Sequence, residues 1–168
     1  MTAFLRRLGG PALAALVLTA SAAVAPIAAS AQGATVAGTD GVIRVKSAYG
    51  MDETIARIRA DIAAKGILFF SSVDQSRLAA DAGIKLNPST LLTFGNPPLG
   101  AQFLTASATS GLDWPVRLLV HQDDSGTVWA AYTDFAWIAE RHQITNRRDQ
   151  FATAAGVVES ITSAVRAR

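Results

Sequence analysis

Residues 116–132 read VRLLVHQDDSGTVWAAY, and this stretch decides the fold class. Two apolar, β-rich segments, Val116–Gln122 and Thr127–Tyr132, flank four residues that are typical of a tight turn, Asp123 to Gly126. The pattern predicts an antiparallel hairpin late in the chain. The rest of the sheet is then built outward from that hairpin.

The register of this hairpin stays open by one residue at the sequence level. If Gly126 forms a bulge the pairing shifts, so His121 faces either Val128 or Trp129 across the two strands. A shift of one residue exchanges the two faces of a strand. The sequence therefore predicts the hairpin but leaves its register undecided.

The segments on either side of the hairpin alternate between strand and helix patterns. Short β-rich runs bounded by glycine or turn residues predict strands, and apolar residues at helical spacing predict helices. The predicted order is strand 42–46, helix 51–65, strand 67–70, helix 75–82, strand 89–94, helix 101–108, the hairpin, helix 136–142 and a last helix over about 149–166. Because residues 67–70 form an unbroken apolar run, we expect that strand to be buried on both faces.

This order predicts an α+β fold. A mixed β-sheet with helices packed mainly on one face, a two-layer sandwich, is the simplest architecture that buries these apolar stripes. Residues 42–168 contain neither an internal repeat nor a long linker, so we expect a single domain. That length is sufficient for a hydrophobic core.

The first 31 residues have the order of a secretory signal peptide. Arg6 and Arg7 precede an apolar stretch, and Ala29-Ser30-Ala31 forms a small-residue cleavage site. An uncleaved membrane anchor and a twin-arginine signal are the alternatives, but the prolines within the stretch and the short match after the arginine pair favour cleavage on the general secretory route. We expect cleavage after Ala31, a flexible lead-in over 32–41, no transmembrane segment afterwards, and a periplasmic or secreted protein.

Charge and cysteine content exclude several functional classes. Two of the 15 Lys and Arg residues lie in the signal peptide, so 13 remain against 13 Asp and Glu. A formally neutral domain has no basic stripe, and we expect no nucleic-acid partner. The chain has no cysteine, which excludes disulfides, thiolate metal sites and thiol catalysis.

Several segments in the same order resemble a known family. They are ADAGIKL at 80–86, TLLTFGNP at 90–97, LDWPVRLLV at 112–120, GTVW at 126–129 and YTD at 132–134. Together they resemble the bacterial and archaeal domain of unknown function 302 family over about residues 50–145. The resemblance implies a compact α+β domain that is often dimeric and has no established reaction, so we expect a homodimer. This chain departs from the family at Asp74-Gln75, where Asp-His is usual, and at Phe135, where proline is frequent.

Four residues are the candidates for ligand binding: Asn96, Tyr132, Asp134 and Arg141. Asn96 follows a predicted strand in a turn-rich loop, and Tyr132 and Asp134 share one face at the end of the hairpin. Arg141 lies near a predicted helix end, where cations are favoured. The structural alternatives are a turn role for Asn96 and a helix-capping role for Asp134.

Catalysis is a weaker prediction than binding. An acid-base pair of Asp134 and His142 would make the chain a small hydrolase or isomerase, provided that the two side chains meet. The two histidines, His121 and His142, lack metal-ligand spacing, and no nucleotide or nucleophile-elbow motif is present, so we expect neither metal nor cofactor. The first hypothesis is therefore a non-enzymatic module that binds a small ligand or a protein. A structural envelope protein with an apolar patch around Trp137 is a third.

Overall fold

The computed structural model describes residues 35–166, and the predicted signal peptide, residues 1–31, lies outside them. The described part contains six strands, five α-helices and one 3-10 helix. In chain order they are β1 Thr35–Ala37, β2 Val42–Lys46, α1 Met51–Ala64, β3 Leu68–Asp74, α2 Gln75–Asp81, β4 Ser89–Gly95, α3 Pro97–Ala106, the 3-10 helix Ala108–Leu112, β5 Val116–Gln122, β6 Val128–Thr133, α4 Phe135–Arg141 and α5 Arg148–Ser163.

The six strands form one sheet in the order β1-β2-β6-β5-β4-β3. The α+β class is confirmed, but the expected mixed sheet is wrong, because every neighbouring pair is antiparallel. Helix α1 carries the chain from β2 to β3 at the far edge, so these two strands run in the same direction without becoming neighbours. A helix between two strands predicts a parallel pair only when the crossover ends beside its starting strand.

One face of the sheet is covered by helices, as expected. Alternate residues of the central strands point to this face, and their side chains pack against apolar residues of α1 and α5. The buried residues include Leu92, Phe94, Leu118, Val120 and Ala130 from the sheet, Ile58 and Ile62 from α1, and Phe151, Val158 and Ile161 from α5. The alternating apolar residues of the strands and the helically spaced apolar residues of α1 and α5 thus pack into one core.

The hairpin register is now decided. His121 pairs with Trp129, and Gly126 adopts a positive φ of 84° in the turn. The Asp123 carboxylate accepts hydrogen bonds from the Ser125 hydroxyl at 2.6 Å and from Trp129 Nε1 at 2.8 Å. These two bonds lower the pKa of Asp123 to about 2. The turn therefore keeps a charged carboxylate across the physiological pH range.

The segment expected to be a flexible lead-in is partly ordered. Thr35–Ala37 forms strand β1 and pairs with β2, from Thr35 opposite Val45 to Ala37 opposite Ile43. The small residues of this segment predicted flexibility, but a short edge strand needs only backbone hydrogen bonds to its neighbour. The ordered sheet therefore begins within a few residues of the predicted cleavage site.

Strand β3 lies at the other edge of the sheet and contradicts its prediction. It was expected to be buried on both faces, yet Leu68 is 51% exposed and Phe70 is 43% exposed. Helix α2, which follows, buries none of its side chains. An unbroken apolar run is typical of a strand covered on both faces, but here Phe69 packs against the core while Leu68, Phe70 and Val73 stay exposed.

Candidate functional site

A cavity of about 490 Å³ opens beside the end of β4. Its walls come from the end of β4, from α3, from the segment before β5 and from one face of α5. Most of the lining is apolar, including Phe94, Leu99, Phe103, Val157 and Val158. Small-molecule sites are concave and mostly apolar and have volumes of roughly 300–1,000 Å³. The cavity therefore has the size and character of a ligand site.

Asn96 lies at this cavity and also caps a helix. Its Oδ1 accepts a hydrogen bond from the Leu99 N–H at 3.2 Å, which satisfies a free donor at the start of α3. The prolines at 97 and 98 form the first turn of that helix, where a missing N–H costs nothing, so α3 begins four residues before the predicted helix. The side-chain Nδ2 of Asn96 makes no hydrogen bond to the residues that the structure describes.

Trp114 forms one wall of the cavity at the same end. A Cβ placed on Gly95 would lie 3.2 Å from the indole Nε1, and a Cβ on Gly100 would overlap the indole ring. Glycine at these two positions allows the backbone of β4 and α3 to approach the ring. Gly156, on α5, also lines the cavity, and a Cβ placed there meets nothing within 4 Å.

Lys65 contributes a cation to the cavity lining. Its Nζ lies 2.6 Å from the Asp61 carboxylate, one turn earlier along α1. Both side chains of this pair are partly exposed, and exposed ion pairs of this kind contribute about 0–1 kcal/mol. The cation is therefore available to a second anion at small cost.

Tyr132 and Asp134 do not line this cavity. Tyr132 is buried in the core, where burial and the nearby Glu159 carboxylate raise the pKa of its phenol. Asp134 caps α4, with its Oδ1 accepting from the Ala136 N–H at 2.9 Å. The helix-capping alternative describes what Asp134 does. The sequence pattern grouped these two residues with the site, but neither of them borders the cavity.

Asp113 is the centre of a hydrogen-bond network that the sequence did not predict. Its carboxylate lies 2.6 Å from His142 Nε2, 2.8 Å from Arg117 Nη2 and 3.1 Å from Arg141 Nη1. The other ring nitrogen of His142 lies 3.1 Å from the Thr109 hydroxyl. The network joins the 3-10 helix, β5 and the end of α4. It was missed because its central contact joins Asp113 to His142, and its members are up to 33 residues apart, although Arg117 lies only four residues from Asp113.

The structure does not bring the expected acid-base pair of Asp134 and His142 together. The two residues flank α4 at opposite ends, eight positions apart, which is about 12 Å along a helix. No hydrogen bond spans that distance. His142 is instead committed to Asp113.

Arg141, the fourth candidate, points to a different part of the surface. Besides Asp113 it borders a shallow groove with Trp137 and Glu140. These two charged residues interrupt the apolar patch expected around Trp137, which is itself 44% exposed. Among residues 35–166 no group of three or more His, Asp or Glu side chains is arranged to hold a metal ion.

Comparison with known proteins decides the family. The family model described as Domain of unknown function DUF302 matches residues 43–167. The chain belongs to the DUF302 family. A solved DUF302 structure supports the fold: the crystal structure of an uncharacterized conserved DUF302 protein from Bacillus stearothermophilus aligns with a TM-score of 0.69 at 19% identity. The alignment covers 75% of this chain and 98% of that protein.

Curated relatives of this DUF302 chain are named as channels. Proteins named fluoride-specific ion channel FluC 1 from Brucella suis and Brucella abortus are each 39% identical over 104 residues, or 62% of this chain. The matched part is 41% and 38% of those two proteins, so this chain spans about two fifths of their length. Within residues 35–166, no helix has the length and apolar character needed to cross a bilayer.

Proposed function

We propose that this DUF302 chain is an exported, non-enzymatic module that binds a small apolar ligand in the cavity beside Asn96. The observation that carries the proposal is the cavity itself, with its mostly apolar walls and a few polar groups among them. Ligand sites combine these two properties, because apolar contact supplies affinity and a few polar groups fix orientation. Asn96 is the candidate residue from the sequence that borders this space.

The lining favours binding over catalysis. None of the described residues around the cavity is an Asp, a Glu or a His. These are the groups that general acid-base chemistry uses most often, and the one ionisable side chain in the described lining, Lys65, is paired with Asp61. His142 lies in the Asp113 network, and its side chain is only 4% exposed. The cavity therefore suits retention of a ligand and not its conversion.

Blocking the cavity tests the proposal. We expect the full chain to bind N-phenyl-1-naphthylamine, a neutral apolar fluorescent probe, saturably and with one site. Gly156→Phe fills the open space beside α5 and is expected to weaken binding about tenfold, equivalent to about 1.4 kcal/mol. Fluorescence titration measures both affinities.

Gly156→Ala is the matched control, since a methyl group leaves most of the cavity free and should keep the wild-type affinity. Circular dichroism melting checks that both variants are folded. Unsaturable probe binding, or equal affinity in Gly156→Phe and the wild type, would contradict the proposal.

Export to the periplasm or beyond is part of the proposal. It is supported by the basic start, the apolar stretch and the small-residue cleavage site of residues 1–31. It is also consistent with a neutral domain that uses no cysteine. A mature protein whose first residue is Gln32, found by mass spectrometry outside the cytoplasm, is the expected result. A full-length cytoplasmic product would overturn this part.

A second copy of the chain is the proposed partner, and strand β3 is the proposed contact. This edge strand leaves its outer backbone groups unpaired within the described residues and exposes Leu68, Phe70 and Val73. A strand can pair antiparallel with its own copy about a two-fold axis, which makes one edge self-complementary. Helix α2, which follows β3 directly, exposes a further apolar residue, Leu78.

Val73→Lys tests this contact. Lysine on an edge strand opposes edge-to-edge pairing, and each copy would carry one, so the substitution is expected to convert a dimer to a monomer in sedimentation equilibrium. Leu112→Lys is the control, because Leu112 is 64% exposed and lies in the 3-10 helix, outside β3 and α2. A wild-type monomer, or a dimer that survives Val73→Lys, would count against the β3 contact.

The curated relatives support a second candidate function, as an accessory domain in fluoride handling. The 39% identity over 104 residues links this chain to part of proteins named fluoride-specific ion channels. A melting-temperature shift with sodium fluoride that sodium chloride at equal ionic strength does not produce would favour this candidate. Equal effects of the two salts would argue against it.

A further inference from the structure

We propose that the ligand of this cavity is an apolar carboxylate, with its acid group held beside Asn96 and Trp114. The inference rests on the proposed binding function and adds the chemical class of the ligand. It follows from the kind of polar atoms that the cavity presents and from where those atoms lie.

The polar groups at one end of the cavity are hydrogen-bond donors. Asn96 uses its Oδ1 to cap α3, which leaves the Nδ2 amide as the free part of that side chain. Trp114 Nε1 is a donor only, and it makes no hydrogen bond to residues 35–166. Lys65 adds a charged donor to the lining. A ligand that satisfies this end must supply acceptor atoms.

Two of the donors flank the end of β4. Gly95 directly precedes Asn96, and a Cβ on Gly95 would lie 3.2 Å from Trp114 Nε1. The indole N–H therefore lies beside Gly95, the residue that precedes Asn96, and both Trp114 and Asn96 line the cavity. The rest of the lining is mostly apolar, with Phe103 and Val157 among its members and Thr153 and Ser160 as its polar residues. The cavity thus has one donor end and an apolar body, as an amphiphilic molecule requires.

A carboxylate matches this end better than a neutral acceptor. Hydrogen bonds to a charged acceptor are shorter and roughly twice as strong as bonds between neutral groups. A carboxylate also has two oxygens that can accept from two donors at once. Lys65 favours negative charge, and its exposed pair with Asp61 is weak enough for a ligand to compete. An alkylammonium would place donors against donors and a cation near Lys65.

Three ten-carbon probes separate these possibilities. Decanoate, decanol and decylamine carry the same chain with an anionic, a neutral and a cationic head. Displacement of N-phenyl-1-naphthylamine from the full chain at neutral pH measures their relative affinities. We expect decanoate to bind about tenfold more tightly than decylamine and several-fold more tightly than decanol.

Asn96→Asp provides a matched variant. Aspartate caps a helix as well as asparagine does, so α3 keeps its N-cap, while the donor is replaced by a second carboxylate. We expect decanoate affinity to fall about tenfold and decanol affinity to change less than twofold. Asn96→Ser, which also caps but lacks the amide, is the second variant should Asn96→Asp not fold, and it should weaken decanoate several-fold.

The outcomes distinguish the two proposals. If the neutral probe binds but decanol equals decanoate, or if the Asn96 variants bind decanoate normally, the carboxylate assignment is wrong and the binding function stands. If neither the neutral probe nor any ten-carbon compound binds, the proposed function itself fails.

Discussion

Asp113→Ala is expected to lower the free energy of unfolding by about 3 kcal/mol. The carboxylate is 3% exposed and accepts from His142, Arg117 and Arg141. Removing one partner of a buried pair typically costs about 3–5 kcal/mol, because the remaining polar groups are left without a partner. The lower end applies here, since both guanidiniums are about half exposed and stay hydrated while His142 is buried. Urea unfolding followed by circular dichroism measures the change.

Asp134→Ala is the control for this prediction. It removes another carboxylate from the flank of α4, but one that makes a single capping bond, for which a loss of about 1 kcal/mol is expected. If the two variants were equally destabilised, the Asp113 network would contribute no more than an ordinary helix cap.

The second large effect concerns the replacement of glycine by alanine at two positions, one in α3 and one in α5. Gly100→Ala is expected to cost about 2 kcal/mol, because the new methyl overlaps the Trp114 indole and neither the ring nor α3 moves freely in a packed wall. Gly156→Ala is expected to stabilise the protein by about 0.5–1 kcal/mol, because its methyl meets open space and alanine favours a helix. Urea unfolding followed by circular dichroism measures the change in the free energy of unfolding for both variants.

The test is whether the two substitutions change the free energy of unfolding in opposite directions. Helix propensity alone predicts that both substitutions stabilise the protein by about 1 kcal/mol. A stabilised Gly100→Ala would mean that Trp114 is not held against α3, and the cavity wall at this end would be loose. The probe affinity of Gly100→Ala should fall together with its stability, because the displaced indole changes the donor end of the cavity.

Local signals explain which parts of the fold could be predicted. The hairpin is a local structure, in which residues 116–132 carry both the alternation and the turn, and the α+β class follows from similar short patterns. The order of the strands is not local. The sequence of α1 does not indicate whether the chain returns beside β2 or crosses to the far edge of the sheet. The prediction of a mixed sheet was wrong for this reason.

The candidate site shows the same division. Asn96 was selected because it follows a strand in a turn-rich loop, and the structure places it both at a helix cap and at the cavity. The cavity itself could not be predicted, since its lining runs from Lys65 to Ser160. The prediction that β3 is buried on both faces was wrong for a related reason. An apolar run indicates that a strand is covered, but it does not say whether the same chain or another one covers it.

The wide spread of the cavity lining has a consequence for the lifetime of the protein. Because the walls are drawn from most of the domain, an unfolded chain has no binding site, and any occupant binds the native state alone. At a hundredfold excess over its dissociation constant, such a ligand adds about 2.7 kcal/mol to the free energy of unfolding. Without a cysteine the chain has no covalent brace. Under the proposed export and binding, the filled protein would resist proteolysis better than the empty one, and the abundance of the protein would rise with the supply of its ligand.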